Sequence, residues 1–392
     1  MDLIDKNAST FFENVAQIIE RARAHVGRTA DMTMCVTNFE IGRLIVEQEQ
    51  GGKDRAKYGR GLLKELSSFL RARVGRGFSE TNLRNARKFY RIYAPSIQQL
   101  ITAKLENGTE SQIQQLITAE SEKSQSLSEL LENPQKSYHL TDFFKVSWTH
   151  YIVLMRIDNE DERRFYEIET IKNNWAVEDL KREYNSSLYE RLALSRDKDE
   201  VMRLSKEGQI VEKPKDILKN PLVLEFLGME EHPSYSETDL ESAIISKTQK
   251  FMLELGKGFL YEARQKRFSF DEKSFYVDLV FYNRLLQCYV LIDLKITELK
   301  HQDLGQMLMY VNYFDRYVKT DKENPTVGIL LCREQNDNIV ELTLPEDSNI
   351  YASKYSLYLP DKGLLQQKLA EWVEEFEEVQ SLLNGSGGDK IG

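Results

Sequence analysis

The sequence has few cysteines and no long apolar run, and both absences narrow the class of protein. Only three of its 392 residues are cysteines, Cys35, Cys288 and Cys332, and no two of them form a CxxC pair. A scattered, odd set argues against a disulfide framework or a zinc site and favours a reducing compartment. No stretch reaches the roughly 18 apolar residues of a membrane helix, and the first residues lack a signal-peptide layout. We therefore expect a cytoplasmic protein without a membrane partner.

Proline and glycine are also sparse, with 8 and 20 residues, while hydrophobic residues make up 41% of the chain. These values exclude collagen-like and wholly disordered proteins. At roughly 150 residues per domain, the length predicts two or three domains.

Basic charge is concentrated in one part of an acidic chain. The net charge is 53 − 63 = −10, but the segment from Lys53 to Arg91 has twelve basic and three acidic residues. That segment carries +9, so the rest of the chain carries −19. A DNA-contacting module joined to an acidic body has this asymmetry, and so does an ordinary solvated helix face.

Helical periodicity runs through residues 1–95, with a break at Gly51-Gly52, and its last part predicts two helices joined by a glycine-containing turn near residue 75. Gly75 and Gly77 end the first helix, Ser79 is suited to cap the second, and Pro95 is expected to stop it. The pair is either a DNA-binding helix-turn-helix or an αα-hairpin without a DNA role. In the first case, its basic side chains are the candidate DNA contacts: Arg60, Lys64, Arg76, Arg84, Arg87, Lys88 and Arg91.

The predicted fold class is α+β, with a helical region followed by a mixed domain. Residues 1–204 are expected to form the helical domain, with a polar insertion at 96–136, and residues 205–235 a linker. Residues 364–392 are expected to form an acidic helix and a flexible tail. Between them, 236–363 predict the order α-β-β-β-α-β: helices 237–255 and His301–Lys319, and strands Phe259–Phe270, Phe275–Tyr282, Cys288–Ile296 and Thr326–Arg333.

Two adjacent strands of this domain carry isolated charges. Asp293 and Lys295 are two apart, so they share one face of their strand. Asp278 lies in the preceding strand. If residues 283–286 form the hairpin loop, Tyr282 faces Gln287, and Asp278 joins Asp293 on the same face, diagonally placed. The alternative is a simple Asp–Lys ion pair at a sheet edge.

Two carboxylates and a lysine on one face suit metal-assisted cleavage of a phosphodiester. Carboxylate oxygens hold Mg²⁺, which activates a water and polarises a phosphoryl oxygen. The lysine would stabilise the developing negative charge. Glu241 on the preceding helix is placed to add a carboxylate, and Gln306, four residues before Tyr310 on the following helix, to orient a phosphate or the lysine.

The chain resembles the YhcG-type family of PD-(D/E)xK nucleases. The likeness rests on the element order, on Asp278 with Asp293-x-Lys295, and on the segments 276–282 and 305–307. Upstream segments 58–63, 77–79 and 224–228 resemble the family too, although Val277 stands where the superfamily name has proline. The resemblance implies a helix-turn-helix-like N-terminal domain and a restriction-endonuclease-like nuclease domain.

The same resemblance assigns roles to individual residues. It implies Asp278, Asp293 and Glu241 as ligands of Mg²⁺ or Mn²⁺, Lys295 as the catalytic lysine and Gln306 as a further site residue. The expected activity is metal-dependent DNA cleavage, in bacterial defence or DNA processing. A DNA- or protein-binding adaptor that does not cut is the alternative. Expected partners are DNA, a second copy of the chain in a homodimer, and restriction-modification or other DNA-processing proteins.

Overall fold

The computed structural model describes residues 2–51, 55–75, 77–107, 140, 143–194, 198–219, 221–229, 235–334, 337–345 and 348–369. The chain divides into two compact units, Met1–Arg163 and Arg164–Gly392. The helices are α1 (Asp2–Gly51), α2 (Arg55–Arg73), α3 (Glu80–Asn107), α4 (Trp148–Leu154), α5 (Glu160–Asn173), α6 (Val177–Asn185), α7 (Leu188–Leu194), α8 (Lys198–Glu207), α9 (Glu237–Ser246), α10 (Thr248–Leu255), α11 (His301–Tyr317) and α12 (Asp337–Thr343). The strands are β1 (Leu222–Val223), β2 (Phe259–Phe270), β3 (Lys273–Asn283), β4 (Cys288–Glu298), β5 (Val327–Glu334) and β6 (Ile350–Ser356).

An aromatic cluster joins the helices of the N-terminal unit. Phe89 of α3 is fully buried, and its ring centroid lies 6.0 Å from that of Phe39 on α1 and 5.0 Å from that of Tyr151 on α4. Helices α1 and α3 approach so closely that a Cβ on Gly42 would collide with the Ala86 carbonyl oxygen. The apolar faces predicted from helical periodicity thus meet in a close-packed core.

The turn between α2 and α3 has the predicted features. Helix α2 ends at Arg73, and Gly75 has a φ of +127°, which glycine adopts without strain. Ser79 caps α3, because its hydroxyl oxygen accepts a hydrogen bond from the Asn82 N–H at 3.2 Å.

The prediction that Pro95 ends this helix is wrong, since α3 continues to Asn107. An interior proline costs about 3 kcal/mol in an isolated helix. Its neighbours Ala94 and Ile97 are buried, so packing offsets the missing hydrogen bond. Residues 96–107 of the predicted polar insertion therefore belong to α3, and 108–136 lie outside the described residues.

Buried ion pairs place the later helices in the C-terminal unit. The Arg191 side chain is fully buried, and its Nη1 lies 2.6 Å from Glu254 Oε1 on α10. Arg182 on α6 reaches the other oxygen of Glu254 at 2.9 Å. Buried charges need such partners, because removal from water is costly. The two compact units divide at 163/164, and within the second unit these ion pairs join residues on both sides of segment 205–235.

The described part of segment 205–235 also packs into the C-terminal unit. Leu222 and Val223 form β1, and Leu224 and Ile217 are buried in the same apolar core as the sheet. The prolines that suggested a linker instead interrupt short ordered pieces, such as a 3-10 helix at Pro214–Ile217.

The C-terminal unit is built on a six-stranded mixed sheet with the order β1-β6-β5-β4-β3-β2. Strands β2, β3 and β4 are antiparallel neighbours, whereas β4, β5, β6 and β1 pair in parallel. Leu240 of α9 and Phe251 of α10 pack on one face. Met307 and Tyr310 of α11 pack on the other. The predicted order α-β-β-β-α-β is confirmed, with the first helix divided in two at Lys247.

The register of the β3–β4 hairpin differs from the predicted one by two residues. Tyr282 pairs with Tyr289, so the loop spans 284–287. A shift of two keeps every side chain on its predicted face, because side chains alternate with a period of two. Backbone pairing ends with Leu279 opposite Ile292, which brings Asp278 to the level of Asp293 rather than diagonal to it.

Three further expectations concern the cysteines, the bilayer and the tail. All three cysteines are free and buried. None of the helices described is both long and apolar enough to cross a bilayer. Residues 362–369 are helical, and 370–392 of the predicted acidic helix and tail lie outside the described residues.

Candidate active site

The centre of the site is the end of β4, where Asp293 and Lys295 point to the same face. Their side chains are only 4% and 14% exposed, and Lys295 Nζ lies 2.7 Å from Asp293 Oδ2. The two groups form a buried ion pair in which Lys295 balances the Asp293 carboxylate. Removing both charges from water is costly, so the arrangement is not optimised for stability alone.

Asp278 joins this pair from β3. Backbone pairing between β3 and β4 stops at Leu279, and the Asp278 carboxylate takes the next place: its Oδ2 accepts a hydrogen bond from the Leu294 N–H at 2.8 Å. The side chain is thereby held against β4, close enough for its charge to act on Asp293.

The proximity of these groups changes their protonation. Burial raises the pKa of Asp293 to about 7, the negative charge of Asp278 adds to the increase, and Lys295 opposes it. Burial lowers the pKa of Lys295, but the charge and hydrogen bond of Asp293 together with the charges of Glu237 and Asp278 outweigh it, so the net pKa is raised. Near neutral pH, Asp293 is therefore poised between its two forms while Lys295 stays charged.

Glu241 approaches from α9 and is connected to Asp278 through Gln265 of β2. The Gln265 Nε2 group donates hydrogen bonds to Glu241 Oε2 at 2.7 Å and to Asp278 Oδ1 at 3.0 Å. Gln265 has a φ of +44°, which is strained for a residue other than glycine. Arg264 forms an ion pair with the second Glu241 oxygen at 3.1 Å. The acids of α9 and β3 are thus joined by an amide and balanced by a cation.

Sequence reasoning did not single out Gln265, Arg264 or Glu237. Glu237 Oε2 lies 3.9 Å from Lys295 Nζ, one helical turn before Glu241. The four-residue spacing of the two glutamates was the available signal. No pattern in the sequence indicates the unusual backbone of Gln265.

Gln306 lies on α11, where its amide donates a hydrogen bond to the Tyr310 hydroxyl. The predicted pairing of these residues along the helix is therefore present. Burial raises the pKa of Tyr310, and the charges of Asp293 and Asp278 add to the effect. The tyrosine is thus close to the acids, and Gln306 is placed beside the site rather than in direct contact with Lys295.

The carboxylates of this site are chemically suited to bind a small, hard cation. Asp293 Oδ2 and Glu241 Oε1 are buried carboxylate oxygens whose described partners are the cations Lys295 and Arg264, at 2.7 and 3.1 Å. Mg²⁺ usually takes one or two carboxylates and completes its shell with water or phosphate, a role that suits Asp278 and Asp293. In the arrangement seen, no three acid, histidine or cysteine side chains among the described residues converge to hold an ion. Glu241, held by Gln265 and Arg264, would have to move to act as a third ligand.

The predicted DNA contacts of the N-terminal unit fall into two groups. Arg87 and Arg91 both bind Glu49 of α1, at 2.6 and 2.9 Å, so part of their charge is used within the unit. Arg84 is 57% exposed and pairs only locally with Glu80, and Lys88 is exposed beside it. Lys64 is exposed on α2. Arg60 also lies on α2, but its side chain, like all of Arg76, lies outside the described residues.

Comparison with known proteins agrees with this geometry. Residues 215–370 match the model of the YhcG PDDEXK nuclease domain, and residues 14–191 match the DUF1016 N-terminal domain. The chain is 36% identical over 368 residues to the Escherichia coli (strain K12) protein named "Putative nuclease YhcG", covering 93% of this chain and 94% of that one.

Two solved structures match a smaller part of the chain. They are a repair endonuclease from Pyrococcus abyssi, with a TM-score of 0.22, and a complex of EndoMS with double-stranded DNA, with a TM-score of 0.24. Each is 18% identical and matches 34% of this chain and about half of the other. With a relative matched over almost its full length and both family domains in order, the chain belongs to the YhcG family of PDDEXK-type nucleases.

Proposed function

We propose that the protein is a divalent-metal-dependent DNA endonuclease whose active site is Asp278, Asp293 and Lys295. The observation that carries the proposal is the buried Asp293–Lys295 pair with Asp278 held beside it at the end of two central strands. Two acids placed side by side, one of them buried, destabilise the fold unless a cation offsets their charge. Such a cluster is typical of a catalytic site.

Each residue has a chemical task in this proposal. A bound Mg²⁺ or Mn²⁺ would polarise the phosphoryl oxygen and lower the pKa of a water. Asp278 and Asp293 are placed to hold the ion, and Asp293 gives up its proton when it does so. Lys295 Nζ stays charged and is placed to stabilise the negative charge that develops on the phosphate. Glu241 and Glu237 supply further oxygens from α9, and Gln306 with Tyr310 limits water on the α11 side.

The proposed substrate is DNA, recruited in part by the N-terminal unit. Lys64, Arg84 and Lys88 are exposed cations on α2 and α3, so they are available to phosphates. Arg87 and Arg91 form ion pairs with Glu49, so less of their charge is available to bind phosphates. A homodimer and restriction-modification partners stay predictions.

The test is a cleavage assay on supercoiled, linear duplex, single-stranded and branched DNA with Mg²⁺ or Mn²⁺. The parent chain is expected to cut at least one form, and Lys295→Ala is expected to lose that activity. Lys250→Ala removes an exposed lysine of the same unit on α10 and serves as the matched control. If the parent binds DNA without cutting any form, or if Lys295→Ala cuts as fast, the proposed site is wrong and the adaptor hypothesis is favoured.

A further inference from the structure

An aromatic groove lies beside α11, outside the acid cluster. Its cavity measures about 350 Å³ and is formed by the end of β2 and the outer side of the helix. This is at the small end of the roughly 300–1,000 Å³ of ligand pockets. Two of its aromatic side chains are left largely in water: Phe270 is 56% exposed and Tyr317 is 63% exposed.

The groove is connected to the candidate active site by a row of stacked rings. Tyr310, which is influenced by the charges of Asp293 and Asp278, meets Phe268 edge-on with centroids 5.5 Å apart. Phe268 stacks on Tyr313 with centroids 4.0 Å apart and planes inclined by 21°. Tyr310, which lies near the acids, is therefore separated from Tyr313 in the groove by a single ring, that of Phe268.

The chemistry of the groove walls suits a nucleic acid rather than a generic apolar partner. None of the residues that line the cavity is acidic, although the chain as a whole carries −10. Arg316 offers a cation for a phosphate, and Asn312 offers both a donor and an acceptor for the edge of a base. Gly305 leaves open space where a side chain would stand.

We propose that this groove binds one unpaired nucleobase of the DNA strand, stacked on the exposed rings of Phe270 and Tyr317. The proposal rests on the proposed nuclease function and specifies its substrate class. Bases inside a duplex are already stacked on each other and cannot enter a lateral groove. The preferred DNA therefore has a flipped, mismatched or single-stranded nucleotide within a few positions of the cleaved bond.

The experiment measures binding by the full chain in EDTA, so that no DNA is cut. The probe is a duplex with one unpaired 2-aminopurine, whose fluorescence is quenched by stacking, beside a fully paired duplex of the same sequence. The variants are Phe270→Ala combined with Tyr317→Ala, which opens the groove, and Gly305→Leu, which fills it. Tyr358→Ala, an equally exposed tyrosine away from the groove, is the matched control.

The parent and Tyr358→Ala are expected to quench the probe and to bind it more tightly than the paired duplex. Both groove variants should bind the unpaired probe about 5- to 150-fold more weakly, the range expected for one base stacked on aromatic rings. Equal binding by parent and groove variants would overturn the proposal. So would a change of oligomeric state in the double variant with the quenching intact, which would make the groove a contact between protein chains.

Failure of this inference is distinguishable from failure of the proposed function. Cleavage with Mg²⁺ that is insensitive to the groove variants, together with unchanged quenching, overturns the base site and keeps the nuclease. If quenching depends on the groove but no DNA is cut, the base-binding site is supported and the proposed nuclease activity is refuted.

Discussion

Replacing Asp293 by asparagine should make the metal-free protein more stable while removing its activity. The buried acid has a pKa raised from 3.8 to about 7. At roughly 1.36 kcal/mol per pKa unit, keeping it ionised at pH 8 costs up to about 4 kcal/mol. The substitution also leaves Lys295 without its nearest anion, although Glu237 lies 3.9 Å away. We therefore expect a net gain of about 1–3 kcal/mol for Asp293→Asn.

The stability difference between Asp293→Asn and the parent should depend on pH, because only the parent carries the titrating carboxyl group. The folded-state pKa is higher than the unfolded one, so the folded state binds the proton more tightly. Below about pH 4 Asp293 is protonated in both states and does not reduce the free energy of unfolding. The reduction grows as the pH rises from about 4 to 7. The advantage of Asp293→Asn should be full at pH 8 and should shrink towards pH 5.

Urea unfolding of parent and variant, in EDTA at pH 5, 6.5 and 8, measures the effect. Asp321→Asn, which neutralises an exposed aspartate in a turn, is the control and should show little pH-dependent change. Adding Mg²⁺ at pH 8 should stabilise the parent, because a ligand of the folded state shifts the equilibrium, and should not stabilise Asp293→Asn. A variant that is less stable than the parent at pH 8, or a difference that does not vary with pH, would refute the reasoning.

Three further experiments test other parts of the proposed structure and function. Gln265→Ala removes the amide that lies between two carboxylates, so the free energy of unfolding of the metal-free protein should fall by about 1 kcal/mol. Mg²⁺ should then stabilise the variant more than it stabilises the parent, which thermal unfolding measures. Lys64→Glu with Lys88→Glu should weaken DNA binding and lower the log–log salt slope by roughly one unit per lost phosphate contact; an unchanged slope would assign these helices a structural role only. Gly42→Ala should destabilise the N-terminal unit by more than about 1 kcal/mol in chemical denaturation because two helices touch there, whereas Gly61→Ala, which meets open space, should be neutral or stabilising.

The sequence predicted the parts of the site that depend on periodicity. Strand β2 has the predicted bounds, and Asp293 and Lys295 share a face because residues two apart in a strand do so. Asp278 reaches the same side although the predicted register is wrong, because the error was an even number of residues. The alternation of side chains along a strand was therefore sufficient to predict that these residues lie on one side of the sheet.

Features that depend on contacts between distant residues were not predictable. The ion pairs of Arg87 and Arg91 with Glu49 join residues about 40 positions apart, so a basic helix face alone did not reveal them. Gln265 has a positive φ, and its amide binds two acids that lie 24 and 13 positions away in the sequence.

Two elements of the sheet were also missed. Strand β1 has only two residues, and β6, Ile350–Ser356, mixes buried and half-buried positions without a clean alternation. Strand β1 depends on its pairing with β6, and β6 on its pairing with β1 and β5, rather than on local propensity.

The most direct test of the central claim is nicking of supercoiled plasmid DNA, which has no ends, by the purified chain with Mg²⁺. The account predicts conversion to nicked and linear forms by the parent, none in EDTA, and none by Asp278→Ala or Asp293→Ala, both folded as judged by circular dichroism. Metal-dependent nicking by either alanine variant at the rate of the parent would contradict it.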